Sequence, residues 1–208
     1  MFLAPISIQK VWDEKIEFWD NVHGVRMNSL VPMAITDSFG KPSHERLIEK
    51  DGVLAKPKVI FNLDMNNDGE HCLEENTTDF NFVFDRADTM HGFGAWFDTA
   101  FDEGDLAAQW RIKQSEGVDA TTFAATAPKC VVLSTSPSAS PTHWKQVQFV
   151  FREPLEVKAG EEIRGSITFS RNKVWRRHFD IVFQFRGDQG DSCASISGKK
   201  FNYTLWRS

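Results

Sequence analysis

Apolar residues recur at steps of three and four near the start of the chain, between residues 7 and 22. They are Ile8, Val11, Trp12, Ile16, Trp19 and Val22. This spacing predicts an amphipathic helix, and Gly24 marks its end. Residues 25–51 then show no strong period and contain a Gly40-Lys41-Pro42 turn. They predict an excursion from the core with a short helical stretch at His44–Lys50.

From residue 58 onward the hydrophobic period changes to two. The alternating apolar positions are Val59/Phe61/Leu63/Met65, Phe80/Phe82/Phe84, Phe93/Ala95/Phe97/Phe101, Val147/Phe149/Phe151, Ile163/Ile167/Phe169, Phe179/Ile181/Phe183/Phe185 and Phe201/Tyr203/Leu205. Turn residues separate these runs. Many short alternating strands predict an all-β fold, an antiparallel β-barrel or sandwich. Residues 102–129 interrupt the pattern and predict a long surface loop.

Composition limits the class of protein. The chain has 208 residues, of which 41% are hydrophobic and 25% charged, and its net charge is −5. This fits one large β domain and argues against binding nucleic acid through an overall basic field. No membrane span and no secretory signal are recognised, so an intracellular location is expected. Cys72, Cys130 and Cys193 are predicted to be free thiols.

Charge is distributed unevenly along the chain. Residues 64–105 hold twelve acidic residues and one basic residue, Arg86, whereas residues 171–178 hold four Arg and Lys. Each run is more typical of a solvated surface than of a site. An acidic band can nevertheless steer a basic ligand towards the protein.

The sequence offers no reaction centre of its own. The Gly92-Phe93-Gly94 motif lies inside an alternating strand pattern and not between a strand and a helix, so it predicts close packing and no cofactor loop. No metal site is expected. The adjacent carboxylates Glu74 and Glu75 point apart if they lie on a strand, which argues against an acid–base pair.

The segment before the Val147 strand contains the strongest candidate for a binding site. It is rich in turn residues and ends in Thr142-His143-Trp144. A loop histidine beside a tryptophan can hold a carboxylate through a hydrogen bond while the indole forms the wall of a pocket. A purely structural corner is the alternative.

Thr142-His143-Trp144 with Lys145 and Gln146 closely resembles the THW loop of protein arginine methyltransferases. Further matches to that family are the Trp19-Asp-Asn-Val-His-Gly helix end, the His91-Gly-Phe-Gly-Ala-Trp-Phe strand and the segment from Glu153 to Gly165. The Trp96 form of the barrel strand is similar to the type 6 subfamily, a type I group. The resemblance covers nearly the whole chain and is weakest over residues 102–129.

The resemblance implies an antiparallel β-barrel with an N-terminal helix and an inserted dimerisation arm at about 25–51. The arm would dock on the cofactor domain of a partner subunit through Val25, Met27, Leu30, Met33, Ile35 and Phe39. Thr142, His143 and Trp144 would bind substrate, with His143 hydrogen-bonded to an acidic group of the cofactor domain and Trp144 lining the arginine channel. The domain that binds S-adenosyl-L-methionine and carries the two catalytic glutamates is expected to be separate, so this chain alone is expected to bind no cofactor and to be inactive.

Three functions therefore compete. The first is the substrate-binding and dimerisation barrel of a methyltransferase that acts on arginines of histones or Arg/Gly-rich proteins, in the nucleus or cytoplasm, as a homodimer, with no nucleic acid or membrane partner. The second is a non-catalytic barrel that regulates a catalytic arginine methyltransferase subunit. The third is a binding module, for example for carbohydrate, that uses exposed Trp110, Trp175 or Trp206.

Overall fold

The computed structural model describes residues 1–65, 67–101, 109, 113, 131–186 and 198–205. Two α-helices lie in the first part of the chain, α1 (Gln9–Lys15) and α2 (Val31–Phe39), with 3-10 turns at Glu17–Asp20, Asn28–Leu30, Lys50–Gly52 and Glu70–Leu73. The β-strands in these ranges are β1 (Phe2–Ile6), β2 (Lys58–Val59), β3 (Glu75–Val83), β4 (Asp88–Trp96), β5 (Asp98–Phe101), β6 (Val131–Ser134), β7 (Val147–Val157), β8 (Glu162–Arg171), β9 (Phe179–Phe185) and β10 (Lys200–Leu205).

All strand pairs in the described part of the chain are antiparallel. One four-stranded sheet has the order β2-β1-β4-β7, a second has the order β10-β9-β8-β3, and β5 pairs with β6. Consecutive strands β8, β9 and β10 are neighbours, which is the pairing that short turns between alternating strands favour. The predicted all-β antiparallel class with few helices is confirmed.

The core lies between the two four-stranded sheets and consists largely of phenylalanine. Phe93 of β4 stacks on Phe183 of β9 with ring centroids 5.0 Å apart, so the two sheets meet at this pair. Phe80, Phe151 and Phe185 pack around the same ring. The inward residues alternate with outward polar ones along β3, as the period of two predicts.

A second hydrophobic cluster covers the outer face of the first sheet. Trp12 of α1 stacks on Phe39 of α2 with ring centroids 5.6 Å apart. Ile6, Ile48 and Val150 belong to the same cluster. The helical segments therefore cover the face of this sheet that points away from the main core.

Three sequence predictions of local structure are wrong. The helical stretch predicted at His44–Lys50 is not formed: the helix of this region is Val31–Phe39, and a 3-10 turn follows only at Lys50–Gly52. The predicted helix over residues 7–22 is shorter, because α1 ends at Lys15 and is followed by a 3-10 turn. The predicted strand over residues 58–65 is reduced to Lys58–Val59. Beyond it, the carbonyl of Asp64 accepts hydrogen bonds from the backbone of Asn67 and Asp68, so a local turn uses a group that a strand ladder needs.

The Gly92-Phe93-Gly94 motif lies inside β4, as predicted. A side chain at Gly92 would collide with the backbone carbonyl of Phe149 on β7, and one at Gly94 would collide with Ile48. The two glycines therefore allow close approach of neighbouring segments. They form no loop that could hold a phosphate or a cofactor.

His91, which lies between Met90 and Gly92 on β4, is fully buried. Its Nδ1 accepts a hydrogen bond from the backbone N–H of Ile8 at 3.2 Å, so the proton lies on Nε2. Nε2 has no hydrogen-bond partner among the described residues. The ring lies beside Trp12 at 5.4 Å, in the cluster between helix and sheet.

Burial lowers the pKa of His91. The backbone of Thr89 and the carboxylates of Asp88, Asp13 and Glu156 oppose this shift only in part. The unfolded chain then binds a proton more readily than the folded chain just below the ordinary histidine pKa of about 6.5. Protonation in that window favours unfolding. The free energy of unfolding is highest above the window and falls as the pH drops through it.

We expect His91→Gln to reduce this pH dependence, because its amide can still accept from Ile8 but does not titrate. Urea unfolding between pH 7.5 and pH 5.5 measures the slope for both proteins. Carboxylates that begin to titrate in this range contribute equally to both. Identical slopes would show that His91 does not carry the effect.

Candidate functional site

The Thr142-His143-Trp144 loop connects β6 to β7. A turn closes it, in which the backbone N–H of Lys145 donates to the carbonyl of Thr142 at 3.2 Å. Lys145 has φ +52°, a left-handed conformation that reverses the chain just before β7 begins. The start of β7 thus fixes where the loop residues lie.

Trp144 is 42% exposed, and its neighbour His143 is also exposed. The two rings lie 3.8 Å apart, and the edge of Phe97 approaches the indole with ring centroids 6.2 Å apart. The indole is supported on one side and open on the other. Thr142 differs from both, because its hydroxyl is buried and has no hydrogen-bond partner among the described residues.

His143 and Trp144 line a cleft of about 680 Å³. Its walls are mainly apolar and come from both large sheets and the loops next to them. They include Phe61, Leu73, Trp96, Phe97, Val147, Phe149, Phe169, Phe179, Ile181 and Leu205. An apolar cleft with a few polar groups at its mouth is the usual form of a binding site.

Basic groups surround this cleft. His44, His143, Lys145 and Arg177 line it, and no described carboxylate does. They come from three separate segments of the chain, so the basic character arises only on folding. This arrangement favours an acidic partner at the mouth of the cleft.

Two carboxylates of the acidic run over residues 64–105 form ion pairs with arginines of the basic segment 171–178. Glu70 and Glu74 accept hydrogen bonds from Arg171 at 2.8 and 3.1 Å, and Glu74 also pairs with Arg176. The hydrogen bond from Arg171, helped by the charges of Arg171 and Arg176, lowers the pKa of Glu70. These pairs connect the turn before β3 to the β8–β9 hairpin.

The predicted arm contains α2 and lies on the second cluster. Val25 and Met33 are 56% and 65% exposed, whereas Met27, Leu30 and Ile35 are partly buried. Phe39 is buried within this chain against Trp12, so it anchors α2. The other five arm residues thus leave apolar surface next to the covered Phe39.

The end of the arm is attached to the loop, a connection that the sequence did not indicate. Residues 43–48, here called the strap, run beside the start of β7. Ser43 and Gln148 exchange two backbone hydrogen bonds of 2.9 and 2.7 Å. Lys145, next to Trp144, donates from Nζ to the carbonyl of Glu45 at 2.6 Å.

Trp175 does not line the cleft; it is 66% exposed at the β8–β9 hairpin, while Trp110 and Trp206 lie outside the described residues. Cys72 is a free cysteine that lines the cleft, and Cys130 and Cys193 lie outside the described part. Among the described residues no cluster of three or more His, Cys, Asp or Glu could bind a metal ion. None of the described helices has the length and hydropathy to cross a membrane.

Comparison with known proteins places the whole chain in one group. The family described as "Arginine methyltransferase oligomerization subdomain" matches residues 1–121 and 108–190. Human protein arginine N-methyltransferase 2 is 30% identical over 208 residues, all of this chain and 43% of that protein. Probable protein arginine N-methyltransferase 6.2 of Oryza sativa subsp. indica is 31% identical over 192 residues, 89% of this chain and 48% of that protein. The chain spans less than half the length of these relatives.

Solved structures share the fold. A Trypanosoma brucei PRMT1 enzyme–prozyme heterotetrameric complex with AdoHcy superposes with a TM-score of 0.68 and 21% identity, over 99% of this chain and 55% of that one. Arabidopsis thaliana protein arginine methyltransferase 10, in an open conformation, gives a TM-score of 0.62 and 18% identity, over 98% of this chain and 58% of that one. At these identities the likeness concerns the fold.

Proposed function

Because the chain belongs to the arginine methyltransferase oligomerization subdomain family, we propose that it is the substrate-binding and dimerisation domain of an S-adenosyl-L-methionine-dependent protein arginine N-methyltransferase. The complete enzyme transfers a methyl group to a guanidinium nitrogen of a protein substrate. The observation that carries this proposal is the exposed His143–Trp144 pair at the mouth of an apolar cleft with a basic rim.

Each group at the cleft has a role in this proposal. His143, together with the charge of Lys145 and Arg177, accepts an acidic surface of the cofactor domain as its partner. Trp144 closes one side of the channel in which the substrate guanidinium lies, and its flat face suits a planar cation. The apolar walls exclude water from the closed interface.

The described residues of this chain do not fit S-adenosyl-L-methionine. The one G-x-G motif is enclosed within β4 and leaves no space beside Gly92. We assign cofactor binding and the catalytic carboxylates to another domain, and the work of this chain is to position the substrate and to bring subunits together.

The exposed apolar residues of the arm support dimerisation. Val25 and Met33 lie on the segment that precedes the strap, and Phe18 and Leu47 add exposed apolar surface from neighbouring segments. Burying such residues against a partner subunit is favourable because apolar surface leaves water. The arm of one subunit is proposed to dock on the cofactor domain of the other, in a homodimer.

Substrates of this enzyme are proposed to be Arg/Gly-rich proteins or histones. The chain has a net charge of −5, so long-range attraction favours cationic partners. Methylation of such substrates suits a location in the nucleus or cytoplasm.

A second candidate is a non-catalytic partner of a catalytic arginine methyltransferase subunit. Its support is that the trypanosomal structure with the same fold is described as an enzyme–prozyme complex. In that case the arm and the cleft rim would contact the cofactor domain of a different polypeptide. Methyl transfer by a mixture of the two subunits, and by neither alone, distinguishes this function from the first.

Calorimetric titration with S-adenosylhomocysteine tests the assignment of the cofactor site. We expect no heat of binding for this chain, and binding by a polypeptide or mixture that adds a cofactor domain. Binding of this chain alone with micromolar affinity, about −8 kcal/mol, would place a cofactor site within it and overturn the proposal.

A further inference from the structure

We propose that Gln146 is a positioning residue that joins the end of the arm to the wall of the substrate cleft. It connects the strap, residues 43–48, to the segment that supports Trp144. The inference rests on the proposed function for its consequence in catalysis, but the connection itself is a property of this chain. Gln146 touches neither substrate nor cofactor in this scheme and acts through Trp144.

Both ends of the Gln146 amide are occupied. Its Oε1 accepts from the backbone N–H of Ile48 at 2.9 Å, and its Nε2 donates to the carbonyl of Thr135 at 2.7 Å. The side chain is 97% buried, since only 3% of the residue is exposed. An amide is the group that offers one donor and one acceptor at this spacing, so neither a carboxylate nor a hydrocarbon can make both bonds.

On one side the connection leads to Trp144. Thr135 and Phe97 are joined by three hydrogen bonds. The N–H and the hydroxyl of Thr135 both donate to the carbonyl of Phe97 at 3.0 Å, and the N–H of Phe97 donates to Thr135 Oγ1 at 3.1 Å. The ring of Phe97 then supports the indole of Trp144 edge-on. A shift of the Thr135 carbonyl therefore moves the surface on which Trp144 rests.

On the other side the connection leads to the arm. Ile48 is buried in the cluster that also contains Phe39, the last residue of α2. Arg46, in the middle of the strap, pairs with Glu14 of α1 at 2.7 Å. The strap is thus fixed to the helices at both its middle and its end, and docking of the arm on a partner acts on the same segment.

Gln148 provides a natural comparison. It is equally buried and lies two residues further along the chain, within β7, and its Nε2 donates to the carbonyl of Arg46 at 2.8 Å. Its hydrogen bonds go to the strap, with none to Thr135 or Phe97. Gln146→Met and Gln148→Met each remove one buried amide of similar size, but only the first breaks the route to Trp144.

The first readout is the indole N–H signal of Trp144 in the NMR spectrum of this chain, assigned with Trp144→Phe. We expect Gln146→Met to shift or broaden this signal and Gln148→Met to leave it in place. An unchanged signal in Gln146→Met, or equal changes in both variants, overturns the inference. If Gln146→Met does not fold, Gln146→Glu, which retains an acceptor for Ile48 and loses the donor to Thr135, is measured in its place and read in the same way.

The second readout is steady-state methyl transfer by the complete enzyme. We expect Gln146→Met to lower kcat by roughly tenfold to a hundredfold, because a wall of the cleft is misplaced, and to leave dimerisation intact. Gln148→Met is expected to retain near wild-type kcat. Equal losses in the two variants contradict the positioning role. Absence of methyl transfer by the unsubstituted enzyme would refute the proposed function alone, because the NMR result decides the connection independently.

Discussion

Phe93→Ala is expected to lower the free energy of unfolding by about 4 kcal/mol, the upper part of the range for large core deletions. Phe93 is fully buried where the two sheets meet. Its ring lies 5.0 to 6.0 Å from five other phenylalanine rings, those of Phe80, Phe82, Phe151, Phe183 and Phe185. Those rings come from both sheets, so the structure cannot close the resulting cavity by moving a single side chain.

The matched control for this prediction is Phe18→Ala. Phe18 is 48% exposed and contacts the neighbouring ring of Trp19, so its loss should cost less than about 1 kcal/mol. Urea unfolding followed by tryptophan fluorescence measures both variants. Similar losses for Phe93 and Phe18 would mean that the phenylalanine cluster is not the main core.

Trp144→Ala and His143→Ala are expected to lower methyl transfer by the complete enzyme about a hundredfold or more, because each removes a group that is proposed to position the substrate or the cofactor domain. His143 is exposed, so its loss should change the free energy of unfolding by less than about 0.5 kcal/mol. Trp144 is 42% exposed and packs on Phe97, so its loss should cost about 1 kcal/mol, still well below the cost of Phe93→Ala. These substitutions should therefore lower activity far more than they lower the stability of the fold.

Trp175→Ala is the control for the loss of an exposed aromatic residue. Trp175 lies on the β8–β9 hairpin and does not line the cleft, so wild-type activity is expected. Activity measured with an Arg/Gly-rich peptide and labelled cofactor separates the three variants. Parallel losses of activity and stability for His143→Ala would make the loop a structural corner.

Strands with one solvent-facing side could be predicted from the sequence. Along β3, Asn81 is exposed between the buried Phe80 and Phe82, so the period of two is kept. β1 shows no such alternation, since all five of its residues are buried. Leu3 faces the main core, while Phe2 and Ile6 pack in clusters on the other face. A strand covered on both sides carries no amphipathic signal.

Only part of the candidate site could be predicted from the sequence. Thr142-His143-Trp144 is a contiguous motif and could be recognised. The basic rim could not, because His44 and Arg177 reach the same cleft from segments far apart in the chain. Gln146 and Ile48 are 98 residues apart, and one hydrogen bond between them leaves no local pattern.

The central claim is that this chain supplies the substrate side of an arginine methyltransferase and that another domain supplies the cofactor. The most direct measurement is transfer of labelled methyl from S-adenosyl-L-methionine to an Arg/Gly-rich peptide, with this chain alone and with the polypeptide or mixture that includes a cofactor domain. We expect no transfer in the first case, and in the second case transfer to arginine that His143→Ala lowers about a hundredfold or more. Transfer by the chain alone, or transfer that is indifferent to His143, would contradict it.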